Sequence, residues 1–175
     1  LTYPIRKYKD LKNLSSFKEV SDDKNIVWAL KNVSFNVEEG EVLGIVGNNG
    51  AGKSTLFNIA IGAEDADSGE VFVNGKNITQ IPIHLRSKLG LGYMPQLRSL
   101  FDDLSVFNNL MGLIQLFEKN NKKAKEKCEL LLEQFNLTHL RSITAGNVSG
   151  GEAKRISLAR IMINNPKIVL LNSCD

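Results

Sequence analysis

The stretch Gly47-Asn48-Asn49-Gly50-Ala51-Gly52-Lys53-Ser54 puts glycines at 47 and 52, a lysine at 53 and a hydroxyl at 54. That is the spacing G-x-x-x-x-G-K-[ST], and the chemistry it offers is the gripping of phosphate. Glycines let the backbone bend until successive N–H groups converge on an anion. A helix opening at about Lys53 adds the positive end of its dipole. Lys53 can reach the outer phosphates of a polyphosphate, the Ser54 hydroxyl can ligate Mg²⁺, and Thr55 follows in the first turn. A dinucleotide-binding turn is excluded, because G-x-G-x-x-G is absent and no acidic residue follows a second strand at the required distance. Further along, Val148-Ser149-Gly150-Gly151-Glu152 opens another predicted helix. Ser149 can cap it and donate a hydrogen bond, and the two glycines leave their N–H groups bare. A serine-glycine helix start is commonplace by itself; its specificity comes from the company of the first loop.

These residues need elements to hold them. Val42 to Gly47 is a short continuous apolar run, the pattern of a parallel strand covered on both faces. "KSTLFNIAIG" reads as a helix closed by Gly62. Upstream, "WALKNVSFNV" alternates and predicts a strand with Val33, Phe35 and Val37 on one face. "SGEVFVNGKNIT" predicts a hairpin turning at Asn74-Gly75, and Leu89 to Met94 another strand ended by Pro95. The middle is helical. Val106, Leu110, Leu113 and Phe117 recur on one stripe, with Phe107, Met111 and Ile114 beside it; Ala124, Cys128, Leu131 and Phe135 form a second. Lys122, Lys123, Lys125 and Lys127 sit mostly off that second stripe, as a solvated face does. A third helix starts at the Ser149 glycines, carries Ile156, Ala159, Arg160 and Met162 or Ile161 near one side, and ends at Asn165-Pro166. The last predicted strand is Ile168 to Leu171. Residues 1–25 are polar and weakly patterned.

A chain of 175 residues with 42% hydrophobic and 23% charged residues is long and apolar enough for one packed domain. A net charge of +3 gives no basic groove, so nucleic acid is not an expected partner. Cys128 and Cys174 make neither a disulfide framework nor a metal pattern. No apolar run reaches the roughly 18–20 residues that cross a bilayer, and the basic start lacks the apolar core of a secretory signal.

Taken together, these motifs resemble the nucleotide-binding domain of ABC transporters. "GNNGAGKST" is similar to its phosphate loop (Walker A), "YMPQ" to its Q-loop with Gln96 as the glutamine, and "VSGGE" to its LSGGQ signature, with Val148 for Leu and Glu152 for Gln. The likeness covers roughly residues 27–172. It looks most like the ATPases of lipopolysaccharide export and branched-chain amino-acid uptake, and also like the lipid-moving ABC subfamily of eukaryotes. The fold so implied is α/β: a P-loop NTPase with a RecA-like core sheet, an antiparallel β subdomain and an inserted helical subdomain. The domain would occupy 26–175, with its core at 26–96 and 164–175, its helical insert at about 97–163, and an incomplete sheet at the C-terminus.

The resemblance also implies a mechanism. Two such domains pair head to tail around ATP and Mg²⁺, so that Ser149, Gly150, Gly151 and Glu152 meet the nucleotide held by the opposite chain. Ser54 and Gln96 would serve the metal. Closure would pull on a membrane-spanning partner at the cytoplasmic face of a membrane. An aromatic that stacks on adenine is expected upstream: Phe17 first, then Tyr8 and Trp28, with 18–26 as an insertion. One departure matters. Where the family's final strand runs into Asp then Glu (Walker B), this chain has Asn172 and Ser173. Asparagine is a weaker ligand for a hard cation, and serine is a poor acceptor for the proton of an attacking water. Asp175 stands two residues too far on, and His84 and His139 precede the strand a catalytic histidine would follow. Hydrolysis at the chain's own site is therefore expected to be impaired. Two other readings stay open: a soluble ABC-type nucleotide switch acting on ribosomes or DNA, and a non-functional fragment.

Overall fold

The computed structural model describes residues 7–10, 30–97 and 99–172, the first four by backbone alone. Phe17, Trp28, Ser173, Cys174 and Asp175 lie outside the described residues, as does the side chain of Tyr8. The chain divides into two compact units, Leu1–Val71 and Phe72–Asp175.

In the first unit, β1 (Lys7–Asp10) pairs in parallel with β2 (Leu43–Val46), Lys7 opposite Leu43 and Asp10 opposite Val46. A loop then leads into α1 (Lys53–Ile61). This helix stops at Gly62, whose left-handed φ of 77° turns its N–H back onto the carbonyls of Asn58 and Ile59. The helix and its glycine stop match expectation. Two other features do not. The polar N-terminal segment contains β1, which its composition does not signal. The predicted strand carrying Val33, Phe35 and Val37 forms no ladder among the described residues. Its alternation persists, with Val33 and Phe35 half-buried and Ser34 and Asn36 exposed, but Val37 is 45% exposed. Alternation fixes which side of a segment is apolar; it does not by itself put the segment in a ladder.

In the second unit, β3 (Phe72–Val73) and β4 (Lys76–Asn77) form the predicted hairpin. Asn74 and Gly75 both have positive φ, 50° and 72°, the geometry a two-residue turn needs to match strand twist. One turn of helix, α2 (Ile83–Arg86), and a 3₁₀ turn (Ser87–Leu89) precede β5 (Leu91–Met94). Arg86 is buried, its Nε donating to the Ile81 carbonyl and its Nη2 to the Thr79 carbonyl, both at 2.6 Å. The strand starts after Leu89 because Gly90, with φ of 94°, closes the 3₁₀ turn first. It pairs in parallel with β6 (Ile168–Leu171), Leu91 opposite Ile168 and Met94 opposite Leu171.

Three helices complete this unit: α3 (Val106–Phe117), α4 (Asn121–Gln134) and α5 (Gly150–Met162). Ser105 caps α3 by accepting from the Asn108 N–H, and Asn120 caps α4 by accepting from Lys122 and Lys123. The predicted stripes make the core: Val106, Leu110 and Ile114 of α3 pack with Ala124, Cys128 and Leu131 of α4 and with Ile156 and Ala159 of α5. Phe117, expected on the first stripe, is instead 56% exposed at the helix end. Helix α5 also lies on β5 at Gly92, where a Cβ would stand 2.6 Å from Ile161 Cγ2 and 3.1 Å from the Pro166 ring. The missing side chain sets that helix-to-strand spacing.

Candidate nucleotide site

The phosphate loop of the first unit is bent, not extended. Gly50 and Gly52 both have φ of 82°, and the Ala51 N–H donates to the Asn48 carbonyl at 3.0 Å. Gly52 is the N-cap of α1 and supplies no side-chain cap, so the first-turn N–H groups have no side-chain competitor at the cap position. Lys53 folds back over the loop. Its ammonium donates to the carbonyls of Gly47 at 2.6 Å and Asn48 at 2.9 Å. Those bonds hold a positive charge against the N-terminal end of the helix, the arrangement that suits a polyphosphate. Asn48, Asn49, Gly50 and Ser54 are exposed, while Gly47, Ala51, Gly52 and Thr55 are half-buried. The bend of the loop and the placement of its lysine therefore suit a phosphate-bearing ligand, and the Ser54 hydroxyl is a donor type that could hold Mg²⁺ there.

In the second unit the signature residues sit at the start of α5 in a complete capping box. Glu152 Oε2 accepts from the Ser149 amide at 2.8 Å and from its hydroxyl at 2.7 Å, and the Glu152 N–H returns a bond to Ser149 Oγ at 3.4 Å. The hydroxyl bond first, and the amide bond next, hold the Glu152 carboxyl below the usual carboxylate range. A Cβ on either Gly150 or Gly151 would meet nothing within 4 Å, so this helix start is open to a partner. His139, set aside from its position in sequence, lies next to this box: its Nε2 is 3.8 Å from Glu152 Oε1. A shallow open cavity beside it is lined by Asn136, Thr138, His139 and Arg155. His84 is on the surface, in α2.

Gln96 is exposed in a bend two residues beyond β5. Asn172 follows β6 directly and is buried, its amide donating to the Met94 carbonyl at 3.0 Å and its side-chain nitrogen 3.5 Å from the Tyr93 hydroxyl. The pairing of β5 with β6 thus brings Met94, two residues before Gln96, and Asn172 to the same strand ends. Among the described residues no three His, Cys, Asp or Glu side chains gather as a metal site.

A strand, a glycine-bent loop with its lysine folded in, and a helix opening at that lysine are the form of a P-loop nucleotide-binding domain. The chain belongs to the ABC transporter family, whose model matches residues 30–174. It is 38% identical over 143 residues to a probable ABC transporter ATP-binding protein of Azorhizobium caulinodans, covering 82% of this chain and 51% of that one. It is 38% identical over 144 residues to the lipopolysaccharide export system ATP-binding protein LptB of Escherichia coli K12, covering 82% and 60%. Among solved structures it is similar to a nucleotide-free ATP-binding cassette from an ABC transporter, with 33% identity and a TM-score of 0.70 over 82% of this chain and 62% of that one. It is also similar to a dimeric post-hydrolysis cassette bound to ADP and Pi, with 26% identity and a TM-score of 0.73 over 87% and 68%. The chain spans about half to three fifths of the length of these curated relatives.

Proposed function

We propose that this chain is the nucleotide-binding part of a transporter's ATP-binding subunit. Gly47 to Thr55 hold the phosphates of Mg-ATP, and Ser54 ligates the metal, with Gln96 as a second contributor. Ser149, Gly150, Gly151 and Glu152 face the nucleotide held by a second ABC domain. The helices α3 to α5, within an insert of about 97–163, transmit closure to a membrane-spanning subunit at the cytoplasmic face of a membrane. The carrying observation is Lys53, whose ammonium is held in the bent loop by the carbonyls of Gly47 and Asn48. The dimeric cassette with bound ADP and Pi supports the paired arrangement, since that protein shares the fold over most of this chain.

The same reading makes the chain a weak hydrolase at its own site. Asn172 gives a neutral amide where a charged ligand would serve a divalent cation, and Ser173 supplies no general base. The intact signature can still complete a partner's site. Restoring both carboxylates, Asn172→Asp with Ser173→Glu, is expected to raise steady-state ATP hydrolysis of the full-length protein about 10²–10⁴-fold. Robust turnover by the unaltered protein, unchanged in the double variant, would show that the site does not depend on these positions.

A further inference from the structure

The segment just beyond Gln96 is tied to two helices at once. From α5, the Arg160 guanidinium donates through Nη1 to the Ser99 carbonyl, and its Cζ lies 5.4 Å from the centre of the Phe101 ring. From α3, the wholly buried Asn109 brackets the same segment. Its Oδ1 accepts from the Phe101 N–H at 2.9 Å, and its Nδ2 donates to the carbonyls of Phe101 at 3.0 Å, Leu104 at 3.2 Å and Ser105 at 3.1 Å. Arg160 is an odd residue to spend on packing. The residue is half-buried, burial lowers the guanidinium's pKa from its ordinary value, and its Nε finds no hydrogen-bond partner among the described residues. A buried donor left without a partner has a cost, so the placement of this side chain calls for a reason.

We propose that Arg160 is a positioning residue that locks the Gln96 loop to the signature helix. This rests on the nucleotide-binding function proposed above for Gln96 and Ser149. Arg160 lies on α5, the helix that Ser149 caps, and it holds residues three and five positions beyond Gln96. A shift of the signature end therefore carries the loop with it. Asn109 grips the segment from α3 and keeps it from yielding on its other side. Arginine suits the role because its planar fork can donate to a backbone carbonyl while its charge lies over an aromatic ring.

The test compares Arg160→Met and Arg160→Lys with the unaltered full-length protein by amide hydrogen exchange, with and without Mg-ATP, alongside thermal unfolding. The Phe101 amide, bonded to Asn109, is the reporter. Without nucleotide, Arg160→Met is expected to speed exchange across 99–104 on the order of tenfold, the size of one lost bond to a charged group, while the α4 amides stay unchanged. Arg160→Lys recovers part of that protection, because an ammonium can still reach the Ser99 carbonyl. With Mg-ATP, the unaltered protein gains protection at both 96–101 and 149–152, whereas Arg160→Met binds nucleotide equally and gains it only at 149–152. Unchanged exchange at 99–104 in Arg160→Met overturns the proposal. So does a uniform rise that includes α4, which would make Arg160 a fold residue only. Failure of the unaltered protein to bind Mg-ATP would sink the nucleotide-binding function itself, and the nucleotide-free comparison would still decide whether Arg160 holds the segment.

Discussion

At the scale of single residues, the two helix starts proposed to meet phosphate are built differently. The start of α1 is capped by Gly52, with no side-chain cap, whereas the start of α5 carries a carboxylate already bonded to Ser149. That carboxylate makes the signature sensitive to acid. The Glu152 carboxyl is held below its usual range in the folded chain, so its contribution to stability is complete above that range and is lost as pH falls through the lowered value. Glu152→Gln keeps a capping box without the charge. Stability followed by denaturant against pH is expected to show a shallower acid limb in the variant; superimposed limbs would mean the capping box is not what titrates. His139 beside it was not legible in the sequence. It reaches Glu152 through the 3₁₀ turn at Thr138–Leu140, and nothing in the local residue pattern says where that turn points.

At the scale of elements, the helices were legible because apolar spacing repeats at 3.6 residues whatever lies around it. The same pattern is blind to polar residues that are buried for a reason. Asn109 is a polar residue on the face of the first apolar stripe, and it is 1% exposed because the loop over it needs its amide. Arg160 meets Ser99 across 61 positions of sequence, a contact no local window contains. The β5–α5 layer rests on an absence of side chain. Gly92→Ala is expected to destabilise by about 1–3 kcal/mol through overpacking against Ile161 and Pro166, read as a lower urea midpoint; an unchanged midpoint would mean that α5 can shift freely. Cys128 in the α3–α4 core has its thiol pushed up to about 12, chiefly by burial. Iodoacetamide at mildly alkaline pH is expected to leave it unmodified in the folded protein and to alkylate it once urea unfolds the chain. Rapid labelling under native conditions would show that this core opens.

At the scale of the whole molecule, the sequence motifs carry the family and the geometry carries the site's parts. The P-loop and signature were legible because each depends on glycine spacing within a few residues. The strand pairings were less so: β1 lies in a polar segment, and the alternating run at Val33 to Val37 is not assigned as a strand. Asn172 shows why residue identity still counts once the fold is known. It sits at the end of β6, bonded to Met94, where the family's metal-holding carboxylate is expected, and it has no charge to offer. On the function proposed here, nucleotide binding and hydrolysis separate in this chain. The first depends on a loop that is present, and the second on groups that are replaced.

The binding half of that account, on which the rest depends, is tested most directly by titrating Mg-ATP calorimetrically into the full-length protein and its Lys53→Ala variant. The unaltered protein is expected to bind with a micromolar-range dissociation constant, and the variant to lose at least about tenfold in affinity, as when one charge-assisted contact to phosphate is removed. Equal affinity in the two proteins, or no binding in the unaltered one, would contradict the claim that the bent loop at Gly47 to Ser54 holds the phosphates.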